Sequence, residues 1–202
     1  GEDQVYDFSL GNPDLPPPAA VTKGLQRLAE QAQSSYAFGY MPNAGYPDVR
    51  QALAQRLSRE QQVALSEQEL LLSCGAAGGL NVLFRAILEP GDEVVCPAPF
   101  FFFFFFYVHN HGGVLRTVPS REPDFALDIE GIEAALSEKT RIVLINSPNN
   151  PTGRVYSASE LRQLAAVLDA ASRKYGRPIL LVSDEPYRFL TFDGTQVPPV
   201  LP

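Results

Sequence analysis

The chain has 202 residues, enough for one good-sized domain or two small ones with a substantial buried core. Apolar residues at 45% and charged residues at 19% match a soluble globular protein, and no apolar run approaches the roughly 20 residues that a membrane-spanning helix needs. With 16 Lys+Arg against 23 Asp+Glu the net charge is -7, which leaves no cationic surface of the kind that neutralises nucleic-acid phosphates, so membrane and nucleic acid are both excluded as partners.

Gly1 to Leu10 has neither a basic segment nor an apolar core, so no signal peptide is expected. Pro13, Pro16, Pro17 and Pro18 follow; they forbid regular helix and predict an extended arm. Apolar residues then recur at helical spacing through Val21, Leu25, Leu28 and Ala29, predicting a helix over 19–33, and again through Val49, Ala52, Leu53 and Leu57, predicting one over 48–57. Beyond them short apolar runs read as strands at 70–72, 93–96, 114–118, 142–145 and 179–182. Helices are predicted between these runs over 78–88, over 129–136 with Asp128 as its N-cap, and over 157–174. The last opens with the capping box Ser157-x-x-Glu160 and carries an apolar face of Leu161, Leu164, Ala165 and Leu168. Strands that alternate with helices need crossover connections, which predicts an α/β fold: a mostly parallel sheet flanked by helices.

The seven phenylalanines at 100–106 interrupt this regularity. On a helix, seven successive residues pass almost twice around the axis, which would put large apolar groups on every face. The two cysteines, Cys74 and Cys96, sit in apolar strand-like contexts without CxxC spacing; no disulfide framework or zinc ribbon is expected, and a reducing, cytoplasmic compartment fits best. His109 and His111 precede Gly112-Gly113 with no carboxylate or cysteine near, so they read as a surface turn and no metal site is expected.

Parallel sheets bind ligands beyond the carboxyl ends of their strands, so the loops after the strands are where chemistry is sought. After the first apolar run comes Ser73-Cys74-Gly75-Ala76-Ala77-Gly78-Gly79. Small residues entering a helix suit a phosphate as well as they suit a tight structural turn, and they match neither GxGxxG nor GxxxxGK[ST]. The fourth run leads into Asn146-Ser147-Pro148-Asn149-Asn150-Pro151-Thr152-Gly153, a rigid polar turn whose amides can face a ligand or simply make the turn. The fifth leads into Ser183-Asp184-Glu185-Pro186-Tyr187-Arg188. An acid at the end of a buried strand needs a cationic partner, and three are open: Mg²⁺ in a nucleotide hydrolase, whose phosphate loop is absent here, a protonated heterocyclic nitrogen, or a salt bridge.

Taken in order, these loops resemble the class I and II aminotransferases, pyridoxal-phosphate enzymes of fold type I. The likeness runs from Leu10 to about Gly194 and is most specific at Asn150-Pro151-Thr152-Gly153 and Asp184-x-x-Tyr187. It implies pyridoxal 5′-phosphate as cofactor, with Asp184 facing the pyridine nitrogen, Asn150 and Tyr187 at the ring's phenolic oxygen, and the backbone N–H groups of Ala76 and Ala77 at the phosphate. It further implies Phe101 stacked on the ring, Gly11 near the substrate carboxylate, and Tyr40 reaching the phosphate of a neighbouring subunit, hence a homodimer. Residues 1–30 would be an N-terminal arm and first helix, and residues 31–202 the cofactor-binding large domain, incomplete at its C-terminus.

The resemblance implies transfer of an amino group from an amino acid to a 2-oxo acid. Alternatives within the fold are a lyase or decarboxylase, and outside it a non-catalytic fragment. Two departures bear on this. The family's Schiff-base lysine lies beyond the Asp-x-x-Tyr motif, and the only lysines here, Lys23, Lys139 and Lys174, stand in no matching context, so this 202-residue chain by itself is expected to be inactive. The family also mixes aromatic, polar and charged residues where this chain has phenylalanine throughout.

Overall fold

A computed structural model of the chain describes residue 11 and residues 15–201. The chain divides into two compact units, Gly1–Met41 and Pro42–Pro202. Within the first, the described residues include the helix α1 (Ala19–Gln31), preceded by Pro18 in an extended conformation; Val21, Leu25 and Leu28 on it are exposed.

The second unit holds the sheet. Its elements in chain order are α2 (Pro47–Gln61), a short 3₁₀ turn (Glu67–Glu69), α3 (Gly75–Ile87), β1 (Glu93–Ala98), α4 (Phe103–His109), β2 (Val114–Pro119), α5 (Ile129–Ala135), β3 (Thr140–Asn146), α6 (Ala158–Tyr175) and β4 (Leu180–Asp184). The four strands lie in the order β2-β1-β3-β4 and every pairing is parallel, as the alternation of strands and helices predicts.

Side-chain alternation along the two central strands builds two cores. Val95, Val143 and Ile145 face one side and pack with Ile132 of α5 and Leu161, Leu164 and Leu168 of α6. Val94, Cys96, Ile142 and Leu144 face the other and pack with Leu80 and Phe84 of α3 and Phe104 and Val108 of α4. Burial on both faces explains why these strands read as unbroken apolar runs. No helix among the described residues is long and apolar enough to cross a membrane.

Four expectations need correction. Leu70–Leu72 is extended but belongs to no strand of the sheet, since an apolar run becomes a strand only beside a partner and β4 pairs with β3 alone. Helix α3 begins at Gly75 rather than 78, because Gly75 takes φ +70° and turns the chain straight into the helix. Asp128 precedes α5 without a side-chain cap bond; its carboxylate pairs with Arg121 at 3.0 Å instead. Cys74 is exposed at the start of α3, while Cys96 is buried within β1; both are free thiols. The capping box of α6 forms as the sequence predicts, Ser157 Oγ accepting from the Glu160 N–H at 3.2 Å and Glu160 Oε2 from the Ser157 N–H at 2.7 Å.

The phenylalanine run resolves into an inner and an outer set. Phe104 is fully buried against α3, Phe100 and Phe101 are partly buried, and Phe102 just before α4 and Phe103, Phe105 and Phe106 on it are exposed.

Candidate active site

Because the strands are parallel, the residues after β1, β3 and β4 emerge along one edge of the sheet. There they form an open cleft lined by Ala76, Ala77 and Leu80 of α3, Phe101, Phe104 and Tyr107, Asn146 and Asn150, and Asp184, Pro186 and Tyr187. Six residues singled out from sequence thus line one cavity: Ala76, Ala77, Phe101, Asn150, Asp184 and Tyr187. Gly11 and Tyr40 belong to the first unit, where both are exposed.

Asp184 is the last residue of β4 and is half-buried. Burial, and then the neighbouring negative charge of Glu185, push its carboxyl up to about 6. Glu185 itself is engaged, accepting from Ser183 Oγ at 2.9 Å and from Arg188 Nη1 at 2.9 Å. The Arg188 guanidinium also donates to the carbonyls of Val197 and Pro198 at 3.0 and 3.1 Å, which braces the turn bearing Pro186 and Tyr187. A carboxylate whose ionisation is opposed by burial gains most from a cationic group placed against it, and no Arg or Lys among the described residues lines the cleft.

The turn after β3 is fixed by its own hydrogen bonds. Asn149 Oδ1 accepts from the Thr152 N–H at 3.1 Å and hydroxyl at 2.9 Å, and the Gly153 N–H donates to the Asn149 carbonyl at 2.8 Å. Gly153 takes φ +73°, which favours glycine there. Asn150 is turned into the cleft by this arrangement, and its side chain has no hydrogen-bond partner among the described residues.

Also lining the cleft, α3 starts without a side-chain cap, so the N–H groups of its first turn, at Ala76 and Ala77, have no intrahelical acceptor. Both residues are exposed and carry only a methyl group, which lets an anion reach the backbone. The Phe101 ring stands edge-on to Phe104 at 5.6 Å between centroids.

The sequence reading did not single out Asn146, Leu80, Phe104 or Tyr107 as lining residues. Phe101, Phe104 and Tyr107 follow one another at intervals of three, the spacing of one helix face, which could have flagged the latter two. Asn146 opens the polar turn whose amides can face a ligand, but nothing local marks it out as a lining residue.

This arrangement offers, in one cleft, an anion seat of backbone N–H groups and a carboxylate seeking a cation, together with an aromatic ring, an amide and a phenol. The sequence model described as aminotransferase class I and II matches residues 3–200. Among curated proteins, a probable aspartate/prephenate aminotransferase of Aquifex aeolicus is 34% identical over 189 residues, 93% of this chain and 45% of that protein. The aspartate/prephenate aminotransferase of Thermus thermophilus is 35% identical over 195 residues, 95% of this chain and 48% of its own length. A crystal structure of an amino transferase from Eubacterium rectale superposes with a TM-score of 0.93 at 37% identity, covering 99% of this chain and 50% of that one. The chain spans about half the length of the curated relatives it matches.

Proposed function

The chain belongs to the aminotransferase class I and II family, and from that premise we propose that the whole protein moves an amino group from an amino acid to a 2-oxo acid with pyridoxal 5′-phosphate as cofactor. The observation that carries this reading is the position of Asp184, a half-buried carboxylate without a cationic neighbour among the described residues of the cleft wall, in the same cleft as the uncapped start of α3.

The donor set fits the cofactor. A phosphate would meet the N–H groups of Ala76 and Ala77, a pyridine nitrogen the Asp184 carboxylate, the ring's phenolic oxygen the Asn150 amide and Tyr187 hydroxyl, and the ring face Phe101. When bound, the cofactor supplies an electron-withdrawing ring that disperses negative charge from the amino acid's α-carbon. Asp184, ionised, holds a proton on the ring nitrogen and so keeps that ring electron-poor. Asn150 and Tyr187 donate to the phenolic oxygen and stabilise its negative charge. Phe101 fixes the ring plane and keeps water from one face.

Relatives bear names for aspartate, asparagine and N-acetyl-LL-diaminopimelate transamination. That supports an amino acid and a 2-oxo acid as substrates, and transamination ahead of lyase or decarboxylase chemistry. The proposal extends to Gly11 near the substrate carboxylate, and to a homodimer in which Tyr40 reaches the partner's phosphate. It also takes residues 31–202 as the cofactor-binding portion and a reducing, cytoplasmic setting for the free thiols.

Replacing Asp184 by alanine in the full-length protein is expected to lower transamination at least ~10²-fold, because the ring nitrogen loses the charge that retains its proton. Near-normal turnover in an amino-acid panel would remove Asp184 from this role.

A further inference from the structure

The Asp184 carboxylate does not stand alone at the strand edge. The β3–β4 register pairs Asn146 with Asp184, setting the two residues side by side at about 4.8 Å, the spacing of adjacent strands. Asn146 is 3% exposed and uses both ends of its carboxamide. Its Nδ2 donates to the Asp184 carbonyl at 2.9 Å and to Asp184 Oδ2 at 3.1 Å, while its Oδ1 accepts from the Asn150 N–H at 2.6 Å.

One side chain therefore joins the two elements that would hold opposite ends of a ring. Asp184 Oδ2 is tied to the protein, and Oδ1 has no hydrogen-bond partner among the described residues. The Asn150 backbone is held one carboxamide away. Resting on the reading of the cleft as a cofactor site, we propose that Asn146 is a positioning residue: it fixes which oxygen of Asp184 meets the ring nitrogen, favours the ionised carboxylate, and keeps Asn150 in step with it. No proton passes through Asn146; a neutral amide only donates to the anion. Its effect opposes the burial and the Glu185 charge that raise the carboxyl.

The test uses the full-length protein freed of cofactor, with two readouts. One is the titration of the Asp184 carboxyl by carbon-13 NMR, assigned by its loss in Asp184→Asn. The other is equilibrium affinity for pyridoxamine 5′-phosphate, which binds without a covalent bond to protein. Asn146→Leu keeps the bulk and removes the donors; it is expected to raise the Asp184 titration by about 1–2 pH units and weaken pyridoxamine 5′-phosphate ~10–100-fold. Asn146→Asp changes one heavy atom; it is expected to give two coupled steps, one above and one below the native Asp184 value.

An unshifted Asp184 titration and unchanged affinity in Asn146→Leu would overturn the proposal. So would two independent carboxyl titrations in Asn146→Asp, which decides the matter if the leucine variant does not fold. Asp184→Ala separates the two readings. If it weakens pyridoxamine 5′-phosphate while the Asn146 variants do not, only the role of Asn146 is lost; if it too has no effect, the cofactor reading fails.

Discussion

The chemistry of the cleft turns on one proton. In the empty protein the Asp184 carboxyl titrates at about 6, above its ordinary range, so at lower pH it is protonated and has nothing to offer a cationic ring nitrogen. Pairing with such a nitrogen favours the ionised form and draws the bound-state value down, so binding expels a proton from Asp184 whenever the pH lies between the two values. Affinity for pyridoxamine 5′-phosphate is therefore expected to rise as pH increases through about 6. Asp184→Ala should lose that component, while the ligand's own titrations persist in both proteins; calorimetry across that range measures the difference. The sign for stability is opposite. A folded-state value above the unfolded one means the empty protein binds protons more readily folded, so this group's contribution is greatest at acid pH and is lost as pH rises through about 6. Asp184, Asn150 and Tyr187 could be picked out because each follows an apolar run that announces a strand. Asn146 could not, because what it touches depends on the β3–β4 register, which nothing local in the chain encodes.

Among the elements, α6 shows how a local signal becomes fold. Its capping box satisfies two backbone N–H groups, and Leu161, Leu164 and Leu168 of its apolar stripe seal one face of β1 and β3, with Leu164 fully buried, while Ala165, predicted on the same face, is exposed. Ser157→Ala is expected to cost about 1 kcal/mol, read as a lower midpoint in thermal or urea unfolding, with cofactor affinity unchanged. The central strands β1 and β3 were legible for a similar reason: a parallel strand buried on both faces is apolar over most of its length. Leu70–Leu72 has the same composition and still forms no ladder, because strand formation needs a neighbour. Asp128 had the right place for a cap, but Arg121 offers it a charge, and a carboxylate at 3.0 Å from a guanidinium is held there. In α4 the buried Phe104 accounts for one face of the aromatic run; its four exposed neighbours form a surface that helical periodicity alone does not explain.

At the scale of the sheet-bearing unit, parallel strands give two unlike edges. The cleft occupies the edge where strands end. Where they begin, Arg177 pairs with both carboxylate oxygens of the buried Asp92 at 3.1 and 3.3 Å, and the buried Glu93 accepts from Arg116 at 3.0 Å and from Ser137 at 2.6 Å. Two of the lysines are on this second edge: Lys139 immediately precedes β3, and Lys174 lies in the last turn of α6, which leads to β4. The seven residues of β3 separate Lys139 from the cleft by roughly 20 Å, far beyond a side chain's reach. Lys139 and Lys174 are thus out of reach and Lys23 stands in no context matching the family's Schiff-base lysine, so the 202-residue chain by itself is expected to show no transamination, checked by assaying purified material against a panel of amino acids. Turnover there would require a catalytic amine from within these residues.

The two ionic clamps on Asp92 and Glu93 thus lie at the end of the strands away from the cleft. Random mutagenesis of the unit should sort into two populations, one altering how long the fold survives heating and the other altering what it binds, with little overlap between them. A lineage can then adjust its thermal tolerance through Arg116 and Arg177 while its chemistry stays as it was.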